Sequence, residues 1–149
     1  MTQDEIFMSE ALNEAKKAAM AGEVPVGAVV VRNGEIISRG RNSKESRGVA
    51  TGHAEIEAIE EACCVFGSWR LSDCTLYVTL EPCPMCAGAI VNARIGRVVY
   101  GSADPKAGAM GSVLNFNSYP LNHKPRIMAG VLEKDCSAIL SAFFFSKRK

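Results

Sequence analysis

Two short segments of the chain carry the side-chain types that bind metal ions and move protons. The first is His53-Ala54-Glu55, and the second, residues 82–86, begins with proline and places two cysteines three positions apart. At the start of a helix, Cys83 and Cys86 share one face, and the positive end of the helix dipole favours their thiolates. Because His53 lies near the start of another predicted helix, all three side chains can bind one metal ion where the two helix starts meet.

The number of ligands indicates a catalytic metal site and not a structural one. Structural zinc is usually bound by four side chains, and the sequence offers no convincing fourth, since the other histidine, His123, lies in an irregular segment. A metal with three protein ligands keeps a position for water, which zinc acidifies. Glu55 is placed to accept a proton from that water and pass it to a leaving nitrogen. Mixed His and Cys ligation favours zinc over iron.

Each half of this pattern also has a plain structural explanation. An isolated H-x-E arises often by chance, and an isolated C-x-x-C is a moderate indication of a metal site. Together, with Pro82 directly before the first cysteine, they resemble the signature H-x-E…P-C-x-x-C of zinc-dependent nucleobase deaminases. The other cysteines are interpreted as ordinary core or surface residues, because disulfides are rare inside cells; they are Cys63, Cys64, Cys74 and Cys136.

The first forty residues predict a helix followed by a β-hairpin. Thr2 and Glu5 have the spacing of a capping box, which predicts a helix start. The dipeptide Asn33-Gly34 is a strong hairpin signal, and it joins two predicted strands over residues 26–31 and 35–40.

The remainder of the chain predicts alternating helices and strands. A helix after Thr51 precedes a strand over residues 74–79, and the next helix starts at Pro84 and ends near Arg94. With the strand over residues 97–101 it forms a βαβ unit, so that pair of strands is predicted to be parallel.

The last third of the sequence begins with a long segment that has no periodicity. Residues 102–125 are irregular, which in a small domain indicates a functional or a disordered segment. A short strand near Ile127 and a helix from about Leu132 to Ser146 follow. Altogether the sequence predicts an α/β fold in three α/β/α layers, with a five-stranded mixed sheet covered by helices on both faces.

The composition is that of an ordinary globular protein. Its 149 residues fit one domain over 1–149, and 48% are hydrophobic and 22% charged. We expect no membrane span, because no long uncharged apolar run occurs. The acidic start of the chain does not resemble a secretory signal, so a cytoplasmic location is expected. The net charge of +1 neither requires nor excludes a nucleic-acid partner.

The blocks around the two motifs resemble bacterial tRNA adenosine deaminases of the TadA type, in the cytidine-deaminase-like superfamily. The matching blocks extend over nearly the whole chain: 23–28, Asn42, 53–56, 79–83, 85–89, 94–99, Asp104, Lys106, Gly108 and Gly111-Ser112. The resemblance implies the cytidine-deaminase-like fold, one Zn²⁺ per subunit, and hydrolytic conversion of adenosine to inosine at the wobble position of a tRNA anticodon. It also implies a homodimer that binds the anticodon stem-loop across both subunits.

The same resemblance implies roles for individual residues. Glu55 would be the catalytic proton carrier, and Asn42 would hydrogen-bond the flipped base. Val26 and the backbone of Ala54 would help line the pocket. Asp104 and Lys106 would contact RNA from the irregular segment. The alternatives are a turn residue at Asn42 and a solvated loop around 104–106.

The C-terminal helix ends in three phenylalanines followed by basic residues. Phe143 lies on an apolar face with Cys136, Ile139 and Leu140, whereas Phe144 and Phe145 lie partly off it. Phe143 and Phe144 are predicted to stack on unpaired bases, with phosphate contacts from the basic end, Lys147, Arg148 and Lys149. The alternative is core packing beside a solvated tail. The extra Phe145 before the basic cluster departs from the family pattern.

Two other functions share parts of this pattern. One is a deaminase of a free base or nucleoside, of the guanine or cytosine type; Asp104-Pro105-Lys106 and the aromatic-basic end favour a polynucleotide instead. The other is a non-catalytic module in which zinc only stabilises the fold. The count of three ligands and the presence of Glu55 argue against it.

Overall fold

The computed structural model describes residues 1–147 as one five-stranded sheet between two layers of helices. The elements, in chain order, are α1 (Gln3–Met20), β1 (Gly27–Arg32), β2 (Glu35–Arg41), α2 (Lys44–Arg47), α3 (Ala54–Phe66), β3 (Cys74–Leu80), α4 (Pro84–Ala93), β4 (Arg97–Ser102), β5 (Arg126–Ala129) and α5 (Glu133–Lys147), with a 3₁₀ turn over Phe116–Ser118. Arg148 and Lys149, part of the predicted basic end, lie outside the described residues. Within them, no helix combines the length and apolar character needed to span a bilayer.

The sheet has the strand order β2-β1-β3-β4-β5 and is mixed. β1 pairs antiparallel with β2 and β3, whereas β3, β4 and β5 run parallel. The predicted five-stranded mixed sheet is thereby confirmed, including the parallel pair around α4. The carboxyl ends of β3 and β4 meet at one edge, which is where ligands bind in open α/β sheets.

Each face of the sheet is covered by its own apolar cluster. On one face, α1 and α5 bury residues such as Met8, Ala11 and Cys136 against the sheet. On the other face, α3 and α4 contribute mostly alanines, such as Ala58 and Ala87. These small side chains allow the two helices to lie close to the strands, which confirms the predicted three layers.

Local sequence signals define most element ends. Thr2 and Glu5 form the capping box at the start of α1. Asn33 and Gly34 have φ of 51° and 76°, as a type I′ hairpin turn requires. The predicted strand boundaries differ from the observed ones by one residue, since β1 begins at Gly27 and β2 extends to Arg41. The four-residue helix α2 was absent from the prediction.

Candidate active site

The starts of α3 and α4 meet at the edge of the sheet. His53 is the N-cap of α3 and Cys83 is the N-cap of α4, and both have extended backbone conformations. Neither side chain makes the hydrogen bond to its own helix that an N-cap residue usually makes. Pro84 occupies the first turn of α4, where its missing N–H costs nothing. Both side chains are therefore available to face each other.

His53, Cys83 and Cys86 converge on one point with the spacing of metal ligands. Nδ1 of His53 lies 3.6 Å from Sγ of Cys83 and 3.5 Å from Sγ of Cys86. Tetrahedral zinc, with bonds of about 2.0–2.1 Å to nitrogen and 2.3 Å to sulfur, would hold such atoms about 3.5 Å apart. The nitrogen and the two sulfurs thus fit a tetrahedral ion that has three protein ligands.

No fourth protein ligand joins this cluster within residues 1–147. His123, the other histidine, is used elsewhere, because its Nε2 donates a hydrogen bond of 2.7 Å to the carbonyl oxygen of Ile95. The fourth tetrahedral position is consequently left to a small molecule.

The contacts among the three side chains favour the thiolate form of Cys83. The hydrogen bond from Cys86, together with the smaller contribution of His53, lowers the pKa of Cys83 to about 4 against the opposing effect of burial. The contact with Cys83 in turn raises the pKa of His53. A metal ion would replace the protons shared among these atoms, since it binds thiolate and neutral imidazole.

Glu55 lies in the first turn of α3, beside the cluster. Its side chain is 4% exposed, and burial raises the pKa of its carboxyl to about 7, while its own backbone amide and His53 act in the opposite direction. A carboxyl group with a pKa near neutral pH can both accept and return a proton.

A cavity of about 470 Å³ opens over this cluster. It brings together most of the site residues predicted from the sequence: Val26, Asn42, His53, Glu55, Cys83, Asp104, Lys106 and Phe144. Cys86 and Ala54 are buried behind the wall. Phe143 lines a neighbouring cavity with Phe144 and Lys147, and its ring lies 5.5 Å from that of Phe144.

Asp104 and Lys106 form part of the cavity rim in the irregular segment. Oδ1 of Asp104 accepts hydrogen bonds from the amides of Lys106 and Ala107 at 3.0 and 3.2 Å. The Asp104 carboxylate therefore shapes its own turn, and the exposed side chain of Lys106 is the freer of the two to meet a ligand.

Sequence reasoning missed some residues of the cavity wall, among them Lys44 and Leu140. Lys44 is exposed at the start of α2. The position of α2 depends on Glu23, a buried carboxylate that accepts hydrogen bonds from the amides of Glu45 and Ser46 at 3.0 and 2.6 Å. In the sequence, only the nearness of Lys44 to Asn42 could have indicated that Lys44 lines the cavity.

Comparisons with known proteins agree with this geometry. A family model described as MafB19-like deaminase matches residues 2–148. A tRNA-specific adenosine deaminase of Bacillus subtilis (strain 168) is 53% identical over 150 residues, which span 100% of this chain and 93% of the relative. The chain belongs to the tRNA-specific adenosine deaminases. Another member, from Streptococcus pyogenes serotype M1, is 46% identical across 96% of this chain and 84% of its own length.

Solved structures place the family in the same fold. One from a study of A-to-I editing by tRNA:A34 deaminases at the wobble position of transfer RNA has a TM-score of 0.88 and 47% identity, covering 90% of this chain and 98% of that one. The guanine deaminase of Nitrosomonas europaea has a TM-score of 0.83 at 22% identity, covering 93% and 83%, and shares the fold alone. The predicted family and fold are confirmed.

Proposed function

We propose that this protein is a single-domain, zinc-dependent hydrolase that converts adenosine to inosine at the wobble position of a tRNA anticodon. One observation carries the proposal: the cluster of His53, Cys83 and Cys86 lies with Glu55 at one cavity, in a chain 53% identical over its length to a tRNA-specific adenosine deaminase. The reaction consumes one water molecule and releases ammonia.

His53, Cys83 and Cys86 would bind one Zn²⁺ per subunit. When bound, zinc supplies a water molecule that loses its proton near neutral pH. Glu55 accepts that proton and then delivers protons to N1 of the adenine ring and to the departing ammonia. Its burial suits this role, because a carboxyl with a pKa of about 7 exchanges protons in both directions at physiological pH.

The cavity wall would orient the base. Asn42 and Val26 lie together, since the amide of Asn42 donates to the carbonyl oxygen of Val26 at 3.1 Å. Val26 offers an apolar surface to the ring and Asn42 a polar one. The amide of Ala54 is already bonded to Asn42, so Ala54 contributes by holding Asn42 in place.

The rim of the cavity suits a polynucleotide better than a free base. Lys44 and Lys106 are exposed around it, and ammonium groups in such positions neutralise phosphates. Phe144 lines the cavity and is 45% exposed, so it offers a surface on which an unpaired base can stack, with Phe143 beside it. A base in an anticodon loop is unpaired, and its extrusion costs little.

We also propose that the protein is a cytoplasmic homodimer, as the family resemblance implies. Large apolar side chains are exposed along residues 113–121, among them Val113 at 54% and Tyr119 at 47%. Apolar surface of this kind supports contact with a second copy of the chain. Sedimentation equilibrium of the purified protein tests the dimer, which a monomer mass at micromolar concentration would exclude.

The substrate is tested by parallel assays on a tRNA anticodon stem-loop and on free guanine, cytosine and adenosine. We expect inosine in the stem-loop, read by sequencing, and little turnover of the small molecules. Turnover of the small molecules alone would instead support the free-base alternative. A bound metal coordinated by four protein side chains would support the non-catalytic alternative.

A further inference from the structure

We infer that Glu81 is a positioning residue that fastens the substrate-binding loop, residues 102–112, to the segment that carries the metal ligand Cys83. The inference rests on the proposed function, because it concerns the substrate of that site. Glu81, Gly108 and Ser112 lie in blocks that carry the family resemblance, yet neither metal binding nor proton transfer accounts for them.

The Glu81 carboxylate is saturated with hydrogen bonds from the loop. Oε1 accepts from the amide of Asp104 at 3.1 Å and from the hydroxyl of Ser112 at 2.5 Å. Oε2 accepts from the amides of Met110 and Ser112 at 3.0 and 3.1 Å. The side chain is only 2% exposed. Both oxygens are therefore occupied, and Glu81 acts on the substrate through the loop.

The backbone around Glu81 joins the same two segments. The amide of Glu81 donates to the carbonyl oxygen of Ser102 at 2.9 Å. The amide of Ala109 donates to the carbonyl oxygen of Pro82 at 2.8 Å. Gly108 leaves room for the carboxylate, since a Cβ there would lie 2.3–2.5 Å from the carboxyl atoms of Glu81. These contacts join the loop to the segment that carries Cys83 at several points.

The fastened loop forms one wall of the cavity. Its residues 102–107 line the same cavity as Asn42, and Lys106 is exposed among them. A carboxylate suits this role because it accepts four hydrogen bonds and donates none. Glutamine at this position would turn an NH₂ group towards two of the donors, whichever way its amide were oriented.

The first test is Glu81→Gln, with the exposed Glu60→Gln on α3 as the matched control. We expect KM for the anticodon stem-loop to rise about tenfold. A change of this size corresponds to the free energy of a hydrogen bond to a buried charge. The proposal gives the loop a role in binding and none in the chemical step, so kcat should stay within about threefold of the wild type. An unchanged KM, or a loss confined to kcat, would overturn the inference.

A second measurement follows the loop directly. Hydrogen exchange of peptides that cover residues 104–112 should accelerate in Glu81→Gln, while zinc content and exchange in α1 stay unchanged. Exchange that rises evenly through the whole protein would show a general loss of stability and contradict a local role.

Ser112→Ala tests the role of Glu81 if the Glu81→Gln variant does not fold or loses its metal. This variant removes one hydroxyl donor and should raise KM several-fold with the metal retained; an unchanged KM would again overturn the inference. The wild type separates the two proposals. If it does not deaminate the stem-loop, the proposed function fails, whereas a wild type that is active beside a Glu81→Gln variant of unchanged KM rejects only the role of Glu81.

Discussion

The backbone amide of Ala54 donates a hydrogen bond of 2.9 Å to Oδ1 of Asn42. Ala54 is the first residue of α3, and the N-cap residue, His53, does not cap the helix with its own side chain. Asn42, directly after β2, supplies the missing acceptor. With Oδ1 holding the helix start, we propose that Nδ2 of Asn42 is the group that donates to the substrate.

Asn42→Asp should separate these two roles. The aspartate keeps an oxygen for the Ala54 amide, and its charge is favourable at a helix start, so the melting temperature should be close to that of the wild type. The lost N–H donor should lower kcat/KM for the anticodon stem-loop about 10- to 100-fold, as expected for one buried hydrogen bond. Asn42→Ala, which removes both groups, should also cost about 1 kcal/mol of stability. Wild-type activity of Asn42→Asp would reject the contact with the base.

Glu55→Gln should retain the metal and lose turnover. Glutamine has nearly the same shape in this buried position but cannot carry a proton, and loss of a general acid-base group costs about 10²- to 10⁴-fold in kcat. Zinc content, measured by elemental analysis, should equal that of the wild type. Glu61→Gln, an exposed position on the same helix, should have normal activity. A Glu55→Gln variant with normal kcat would exclude Glu55 as the proton carrier.

Cys83→Ala should lose the metal itself. With one of three ligands removed, His53 and Cys86 alone would bind zinc weakly. The purified variant should contain little zinc by elemental analysis and show no deamination. Cys64→Ala is the matched control, because Cys64 is exposed and lies outside the cluster. Full metal content in Cys83→Ala would show that the ion is bound elsewhere.

The features predicted from the sequence depend on local patterns. Pro84 and the H-x-E segment marked two helix starts, and the βαβ pattern around α4 placed them at one edge of the sheet. The convergence of His53 with Cys83 could therefore be anticipated, because each step needed only neighbouring residues.

The features that were missed depend on hydrogen bonds between distant residues. Glu23 holds α2 through the amides of residues more than 20 positions away, and Glu81 holds Ser112 across 31 positions. A bond from a side chain to a distant amide leaves no periodicity in the sequence. For that reason both α2 and the order of the loop after β4 became visible only in three dimensions.

Asp4 should make the protein more stable at neutral than at acidic pH. It accepts hydrogen bonds from Arg97 at 2.7 Å and from the hydroxyl of Tyr77 at 2.6 Å, and the bond with Arg97 lowers the pKa of its carboxyl. A lowered folded-state pKa gives stability that is complete above the unfolded value of about 3.9 and disappears as the pH falls through the folded value.

We therefore expect Asp4→Asn to lower the free energy of unfolding by about 1–2 kcal/mol at pH 7. The difference from the wild type should shrink below about pH 4, where the wild-type carboxyl also becomes protonated. Urea titrations at both pH values measure it. The control is Asp73→Asn, whose carboxylate is 74% exposed and 3.9 Å from Arg32, and which should change stability by only a few tenths of a kcal/mol. A difference independent of pH would contradict the assignment.

Gly40→Ala should weaken both the fold and the metal site. A Cβ on Gly40 would lie 2.2 Å from the carbonyl oxygen of Ala54 and 2.7 Å from the amide of Ala58. The clash involves the backbone of α3, so β2 and the helix must separate, and His53 moves with the helix start. Overpacking of this kind costs about 1–3 kcal/mol.

Urea denaturation and elemental analysis together check the Gly40→Ala variant. The unfolding midpoint and the zinc content should both decrease, because the same displacement affects the core and the ligand. Gly88→Ala is the control: Gly88 lies within α4, and its added methyl group would meet no atom within 4 Å. Alanine there should leave zinc unchanged and, by the higher helix propensity, alter stability by no more than about 1 kcal/mol in the favourable direction. A Gly40→Ala variant as stable as the wild type would mean that α3 can shift without cost, and the packing of β2 against α3 would then not determine where His53 lies.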